Sequence, residues 1–95
     1  MILEVAILNV KSGEEENFES AFFKAKEILS GSKGYIEHHL QKCIETKGKY
    51  VLLVRWETLE DHTAGFRKSK AYQQWKELLH HFYNPFPIVE HYFEV

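Results

Sequence analysis

The sequence holds a single cysteine, Cys43, in 95 residues, which excludes an internal disulfide framework and any multi-thiolate metal site. Its two prolines both fall in Asn84-Pro85-Phe86-Pro87, so no proline-rich linker divides the chain, and it contains neither a low-complexity tract nor a repeat. Charge of one sign is also missing: 12 basic residues stand against 14 acidic ones, a net charge of -2. That balance leaves no electrostatic footprint for nucleic acid or an anionic membrane surface. No apolar run approaches the roughly 20 residues that span a bilayer. The segment Met1–Lys11 has no basic stretch ahead of its apolar residues and no small-residue cleavage site, so it is not expected to act as a signal peptide. The expectation is a single domain over residues 1–95, located in the cytoplasm. What the chain does have is apolar and aromatic material: 44% hydrophobic residues and 15% aromatics, with seven Phe, five Tyr and two Trp. Such usage argues for a packed core and against disorder.

Ile2–Val10 is apolar except for Glu4 and Asn9 and reads as a strand. Ser12 followed by Glu15 has the spacing of a capping box. Behind it Phe18, Phe22, Ala25 and Leu29 form one stripe of an amphipathic helix that Gly31 should stop. Tyr35–Ile44 and Tyr50–Glu57 read as a hairpin across the polar turn Glu45–Gly48. Thr58 with Asp61 opens a short helix that Gly65 kinks or ends. Ser69 caps a second helix with Tyr72, Trp75, Leu79 and Phe82 on one face, and Asn84-Pro85 stops it. Pro87–Val95 is expected to close the chain as a strand.

This order, βαββαβ, is the split arrangement of ferredoxin-like α+β folds, with both helices on one face of a four-stranded sheet. The first and third strands are apolar at nearly every position, whereas a one-sided antiparallel sheet should alternate. Leu3, Val5 and Ile7 need cover as much as Ile2, Ala6 and Leu8 do, and no element remains to provide it. A homodimer packed sheet against sheet is therefore expected.

The arrangement, together with Val54-Arg55-Trp56-Glu57-Thr58-Leu59-Glu60-Asp61-His62-Thr63-Ala64-Gly65-Phe66-Arg67 and a Ser-x-x-Tyr helix start at Ser69–Tyr72, resembles the antibiotic biosynthesis monooxygenase family of the dimeric α+β barrel superfamily. The final Asn84–Tyr92 segment looks like a subgroup signature. The resemblance spans essentially the whole chain. It implies a dimer with a pocket between helices and sheet in each subunit. It also implies oxidation of an aromatic or quinol-type small molecule by molecular oxygen, with no metal, flavin or haem cofactor. A haem-degrading branch of the family uses an Asn, a Trp and a His. The matching positions here fall on Ala6 and near Phe66 and Lys76, so none of the three is retained, although His80 lies one turn beyond Lys76 as a substitute ligand. Fold likeness alone fixes no chemistry.

Glu4 interrupts an apolar strand, and its parity with Ala6 puts it on the helix-facing side in the family's register. A carboxylate in apolar surroundings has a raised pKa and suits a general base. The first and last strands are antiparallel neighbours in this topology, and a simple register sets Glu4 beside His91. The plainer alternative is an exposed glutamate in a cross-strand pair. His62, on the short helix, would serve as a base if it points inward; the alternative is a solvent-facing histidine beside Asp61. Phe22, Phe66, Tyr72 and Trp75 are the candidate substrate-binding wall for a flat ring, with Phe18 on the same stripe, though core packing is the ordinary role of that spacing. The remaining histidines form two adjacent pairs, His38-His39 and His80-His81, with no metal-ligand spacing, so no metal site is expected. His80 and His81 read as the end of the second helix, packing near a dimer contact. Cys43 reads as structural, and Arg67, Lys68 and Lys70 read as a solvated basic face that could otherwise meet an anionic substrate. Two functions follow: a cofactor-independent monooxygenase using His62 or the Glu4–His91 pair as base, or a non-catalytic small-ligand-binding dimer that keeps the pocket and lacks the base.

Overall fold

The computed structural model describes residues 1–95. Four strands, β1 (Ile2–Asn9), β2 (Tyr35–Lys42), β3 (Lys49–Trp56) and β4 (Val89–Tyr92), form one antiparallel sheet in the order β2-β3-β1-β4. Helices α1 (Glu15–Ser30) and α2 (Lys70–Leu79) pack on one face, joined to the sheet by a wide helical segment at Asp61–Phe66 and a single 3₁₀ turn at His80–Phe82. The architecture is the expected α+β, ferredoxin-like one.

Side-chain alternation settles which face the helices cover. Glu4, Ala6 and Leu8 of β1 are buried with Tyr50, Leu52, Val54 and Trp56 of β3, while their odd-numbered neighbours are not. The helices supply Phe18, Phe22, Ala25, Leu29, Trp75 and Leu79 to the same core. Leu3, Val5, Ile7, Val51 and Leu53 stay partly or largely exposed on the other face. No helix is long and apolar enough to cross a membrane.

Local chemistry departs from expectation at three places. Ser12 makes no capping box: α1 begins at Glu15 with no side-chain cap on Glu14, and the Glu15 carboxylate instead accepts the Gly13 N–H at 3.0 Å. Gly13 has φ +86°, a left-handed turn that carries Ser12 away from the helix end. Strands β2 and β4 are shorter than the patterning suggests, because the chain turns at Cys43–Gly48 and β4 pairs with β1 over only Val89–Tyr92. The helical segment at Asp61–Phe66 is a π-helical turn, marked by an i→i+5 bond in which the Arg67 N–H donates to the His62 carbonyl at 3.0 Å. The caps expected from Thr58 and Ser69 do form: Thr58 Oγ1 accepts the Asp61 N–H, and Ser69 Oγ accepts the Tyr72 N–H, both at 3.1 Å.

Gly34 anchors the entry to β2. Its φ is +83°, a Cβ there would collide with the Asp61 carboxylate, and its carbonyl accepts the Glu57 N–H at 2.8 Å. Gly34→Ala is therefore expected to destabilise the fold by about 1–3 kcal/mol, measured as a lower urea midpoint at unchanged m-value.

Candidate active site

The antiparallel β1–β4 register pairs Glu4 with His91. Glu4 shares parity with Ala6 and Leu8, so its side chain points under the helices and is only 6% exposed. The wide turn at Asp61–Phe66 lowers His62 onto this position, where it is 4% exposed. His62 Nε2 lies 3.4 Å from Glu4 Oε1, and His62 Nδ1 lies 2.7 Å from His91 Nε2. The three residues that the sequence offered as bases thus form one line, with His62 in the middle. They come from three separate elements and span 88 positions of sequence only because the sheet brings its first and last strands together.

Trp56 completes the cluster. Its indole N–H donates to Glu4 Oε1 at 2.9 Å, and its ring stacks on the His62 imidazole with centroids 5.2 Å apart. Phe66 lies against both rings. Sequence reasoning placed Trp56 only as part of a family motif. Its parity with Tyr50, Leu52 and Val54 was the available signal, since that puts the indole on the helix side, diagonal to Glu4.

Glu4 and His62 open onto a cavity of about 340 Å³ between sheet and helices. Its floor is Ala6, Leu8, Leu52 and Val54, and its helix-side wall is Phe66, Tyr72 and Trp75. The closing segment after α2 contributes His80, Tyr83 and Phe86. The lining is mainly apolar with a few convergent polar groups, the usual make-up of a small-molecule site. Three of the four residues expected in the wall line it. Phe22 does not: it sits one layer back, edge-on to Trp75 at 5.9 Å and tilted against Phe18 at 6.2 Å, as part of the core. Arg67 lines the cavity despite its exposure, while Lys68 and Lys70 remain on the solvated face. His80 also lines the cavity, whereas His81 is exposed and lies on the Phe82 ring.

Burial decides the charge states. It raises the Glu4 carboxyl above its ordinary 4.5, against the opposing pull of the Trp56 N–H and the positive Arg67. It lowers His62 from 6.5 to about 3, helped by the positive charge of Arg67 and by His91. His91 is lowered too, by burial and then by Arg67. Both members of the Glu4–His62 contact are therefore driven toward their neutral forms. The cluster is linear rather than convergent, one partner on each nitrogen of His62, and no group of three or more side chains surrounds a common point as a metal ion requires. Elsewhere, Cys43 Sγ accepts the Thr46 N–H at 3.3 Å within its turn, and His38 bonds the Tyr35 hydroxyl at 2.6 Å.

Comparison with known proteins agrees with this architecture. Residues 1–78 match the family model for antibiotic biosynthesis monooxygenase. The chain is 60% identical over 95 residues to YczJ of Bacillus subtilis (strain 168), an uncharacterized protein, covering 100% of both. Among solved structures, a Bordetella bronchiseptica protein named for the same family superposes with a TM-score of 0.94 at 32% identity, covering 99% of this chain and 96% of that one. SnoaB of Streptomyces nogalater, a cofactor-independent oxygenase, superposes with a TM-score of 0.76 at 18% identity, covering 99% and 91%. At that identity the likeness to SnoaB is one of fold.

The charge states fix the sign of two pH effects. The folded protein holds the Glu4 proton to higher pH than the unfolded chain, so Glu4 costs stability as pH rises above 4.5. Folded His62 stays neutral while the unfolded chain takes up a proton below 6.5, so His62 costs stability as pH falls from 6.5 toward 3. Glu4→Gln is expected to flatten the alkaline loss and His62→Gln the acid loss, each read from thermal midpoints across pH. Trp56→Phe leaves Glu4 without its donor and is expected to cost about 1–3 kcal/mol beyond the lost packing, checked by urea unfolding against Trp56→Phe in a Glu4→Leu background.

Proposed function

The chain belongs to the antibiotic biosynthesis monooxygenase family, and from that premise we propose that it is a cofactor-independent monooxygenase acting on an aromatic or quinol-type small molecule. The observation that carries this reading is the Glu4 carboxylate, buried, raised in pKa and open to an apolar cavity beside two histidines. The name of SnoaB, a cofactor-independent oxygenase on the same fold, supports the reaction type.

In this reaction Glu4 takes a proton from an acidic C–H or O–H of the bound ring, leaving an electron-rich carbanion or phenolate. A desolvated carboxylate is a stronger base than one in water. Arg67, at the cavity wall, offsets the negative charge that develops on the substrate. The substrate anion itself reduces molecular oxygen. In an anthrone-type substrate the ring CH₂ becomes C=O, one oxygen atom enters the product, and the other leaves as water with the two hydrogens of that carbon. Phe66, Tyr72 and Trp75 hold the ring flat and keep water from the anion.

The functional unit is a homodimer. Leu3, Val5, Ile7, Val51 and Leu53 form an apolar sheet face that the chain does not cover, and a second copy offers the same face back. Sedimentation is expected to give a dimer, and Val5→Asp, whose side chain lies on that outer face, a monomer.

Oxygen uptake by metal-free protein with a panel of anthrones and hydroquinones tests the reaction. Saturable uptake is expected, with a rate that rises with pH through a midpoint above 4.5 and falls by about 10²–10⁴ in Glu4→Gln. Saturable ligand binding with no uptake above a heat-denatured control would favour a non-catalytic ligand-binding dimer.

A further inference from the structure

His62 is the only side chain in the site with both ring nitrogens engaged by titratable partners, Glu4 on one side and His91 on the other. A neutral imidazole has one N–H and one lone pair, so it cannot donate to both or accept from both. A protonated carboxyl group keeps an acceptor oxygen as well as its O–H, and of the settings this allows, two run the bonds in opposite directions along the line. With Glu4 protonated, its O–H points at His62 Nε2, and the His62 Nδ1–H donates to His91 Nε2. With Glu4 ionised, the His62 Nε2–H points at Glu4 Oε1, and the His91 Nε2–H donates to His62 Nδ1.

We propose that His62 is a proton relay that carries the proton of Glu4 to His91 and so to the outside of the cavity, by switching between these two tautomers. This deepens the proposed function, resting on Glu4 as the base whose proton must leave between turnovers, but the relay itself is a property of the free protein. The balance is simple. From the first setting, the Glu4 proton moves to His62 Nε2 as the His62 Nδ1 proton moves to His91 Nε2. Glu4 becomes a carboxylate and His91 a cation, and His91 then loses its Nδ1 proton to water, which produces the second setting. One proton has left Glu4, and His62 has been neutral throughout.

Geometry favours a relay over a resting acid. The His62 ring is stacked on Trp56 and lies against Phe66, which limits its freedom to turn between its two partners. The 2.7 Å step to His91 is a full hydrogen bond, and the 3.4 Å approach to Glu4 is an ion-pair distance that must shorten for a proton to pass. The charged and titratable groups around the line are Glu4 from β1, Arg67 from the turn that carries His62, and His91 from β4. Tyr72, His80 and Tyr83 face the same cavity from α2 and the segment after it. Arg67 opposes a positive charge on either histidine. The low pKa of His62 agrees with a residue that passes a proton without keeping it. His91 is half-buried, at the outer end of the line.

Long-range proton–nitrogen correlation spectra of the free, histidine-labelled protein between pH 4.5 and 9 test this without any substrate. The expected result is a His62 ring that carries its proton on Nδ1 at low pH and on Nε2 at high pH, with the same midpoint as the Glu4 carboxyl carbon. Glu4→Gln is expected to abolish the switch. A His62 ring that keeps one tautomer throughout, or that gains a second proton at the Glu4 midpoint, overturns the relay. In turnover, His91→Ala is expected to lower kcat while leaving KM unchanged, with added imidazole restoring the rate. A loss in KM alone, or no rescue, assigns His91 a packing role instead. If wild-type protein consumes no oxygen, the reaction reading fails while the spectra still decide the relay.

Discussion

A carboxylate buried beneath two helices sets the terms for this site. Moving an ionised carboxyl group out of water costs several kcal/mol even after the protein relaxes around it, and Glu4 sits on the helix side of a central strand among Ala6, Leu8 and Val54. The Trp56 indole N–H meets one of its oxygens, His62 stands beside the same oxygen, and Arg67 contributes a positive field from the wall. None of these cancels the cost, and the raised pKa is the part that remains. A fold concerned only with stability would place a valine here. The retained carboxyl group, its single strong donor and its open side toward a cavity form a local conflict with good packing, and such conflicts concentrate at functional sites.

The supporting structure can be read as what keeps that oxygen in place. Strand parity aims Glu4 inward, and the β1–β3 pairing brings the indole alongside. The β1–β4 pairing sets His91 opposite. The Trp56, His62 and Phe66 rings form a packed aromatic triangle that leaves the imidazole little freedom to turn. Because each of these contacts comes from a different element, the site exists only in the folded sheet. The local sequence around Glu4, His62 or His91 encodes none of it separately.

That distribution explains how much could be read in advance. The βαββαβ order, the hydrophobic stripes and the Ser69 cap are local signals and were visible. Glu4 stood out because a charge in an apolar strand violates alternation, and its pairing with His91 followed from the topology's antiparallel outer strands. Phe22 was misplaced because helical spacing identifies a buried face but not the layer within it; Trp75 lies between Phe22 and the cavity. The capping box failed because Gly13 redirects the chain before the helix begins. The roles of Trp56, Tyr83 and Phe86 were hidden, since each depends on which strand lies beside which or on a segment after α2 that has no periodicity. Arg67 stands beside basic neighbours in the sequence, and only the widened turn separates its place at the cavity from theirs on the surface.

The widened turn itself has a consequence for how such a site changes over time. A π-helical turn is a helix with one residue more than its neighbours' register requires; here His62 and Phe66, four residues apart, face inward together, and the extra residue shows at Arg67, whose N–H bonds back to the His62 carbonyl. Deleting one residue between His62 and Arg67 would return the segment to ordinary helical register and move Arg67 relative to His62. The chemistry of this cavity is thus tuned by chain length as well as by residue identity. A single codon lost or gained in this short stretch would shift the one cationic side chain that lines the cavity.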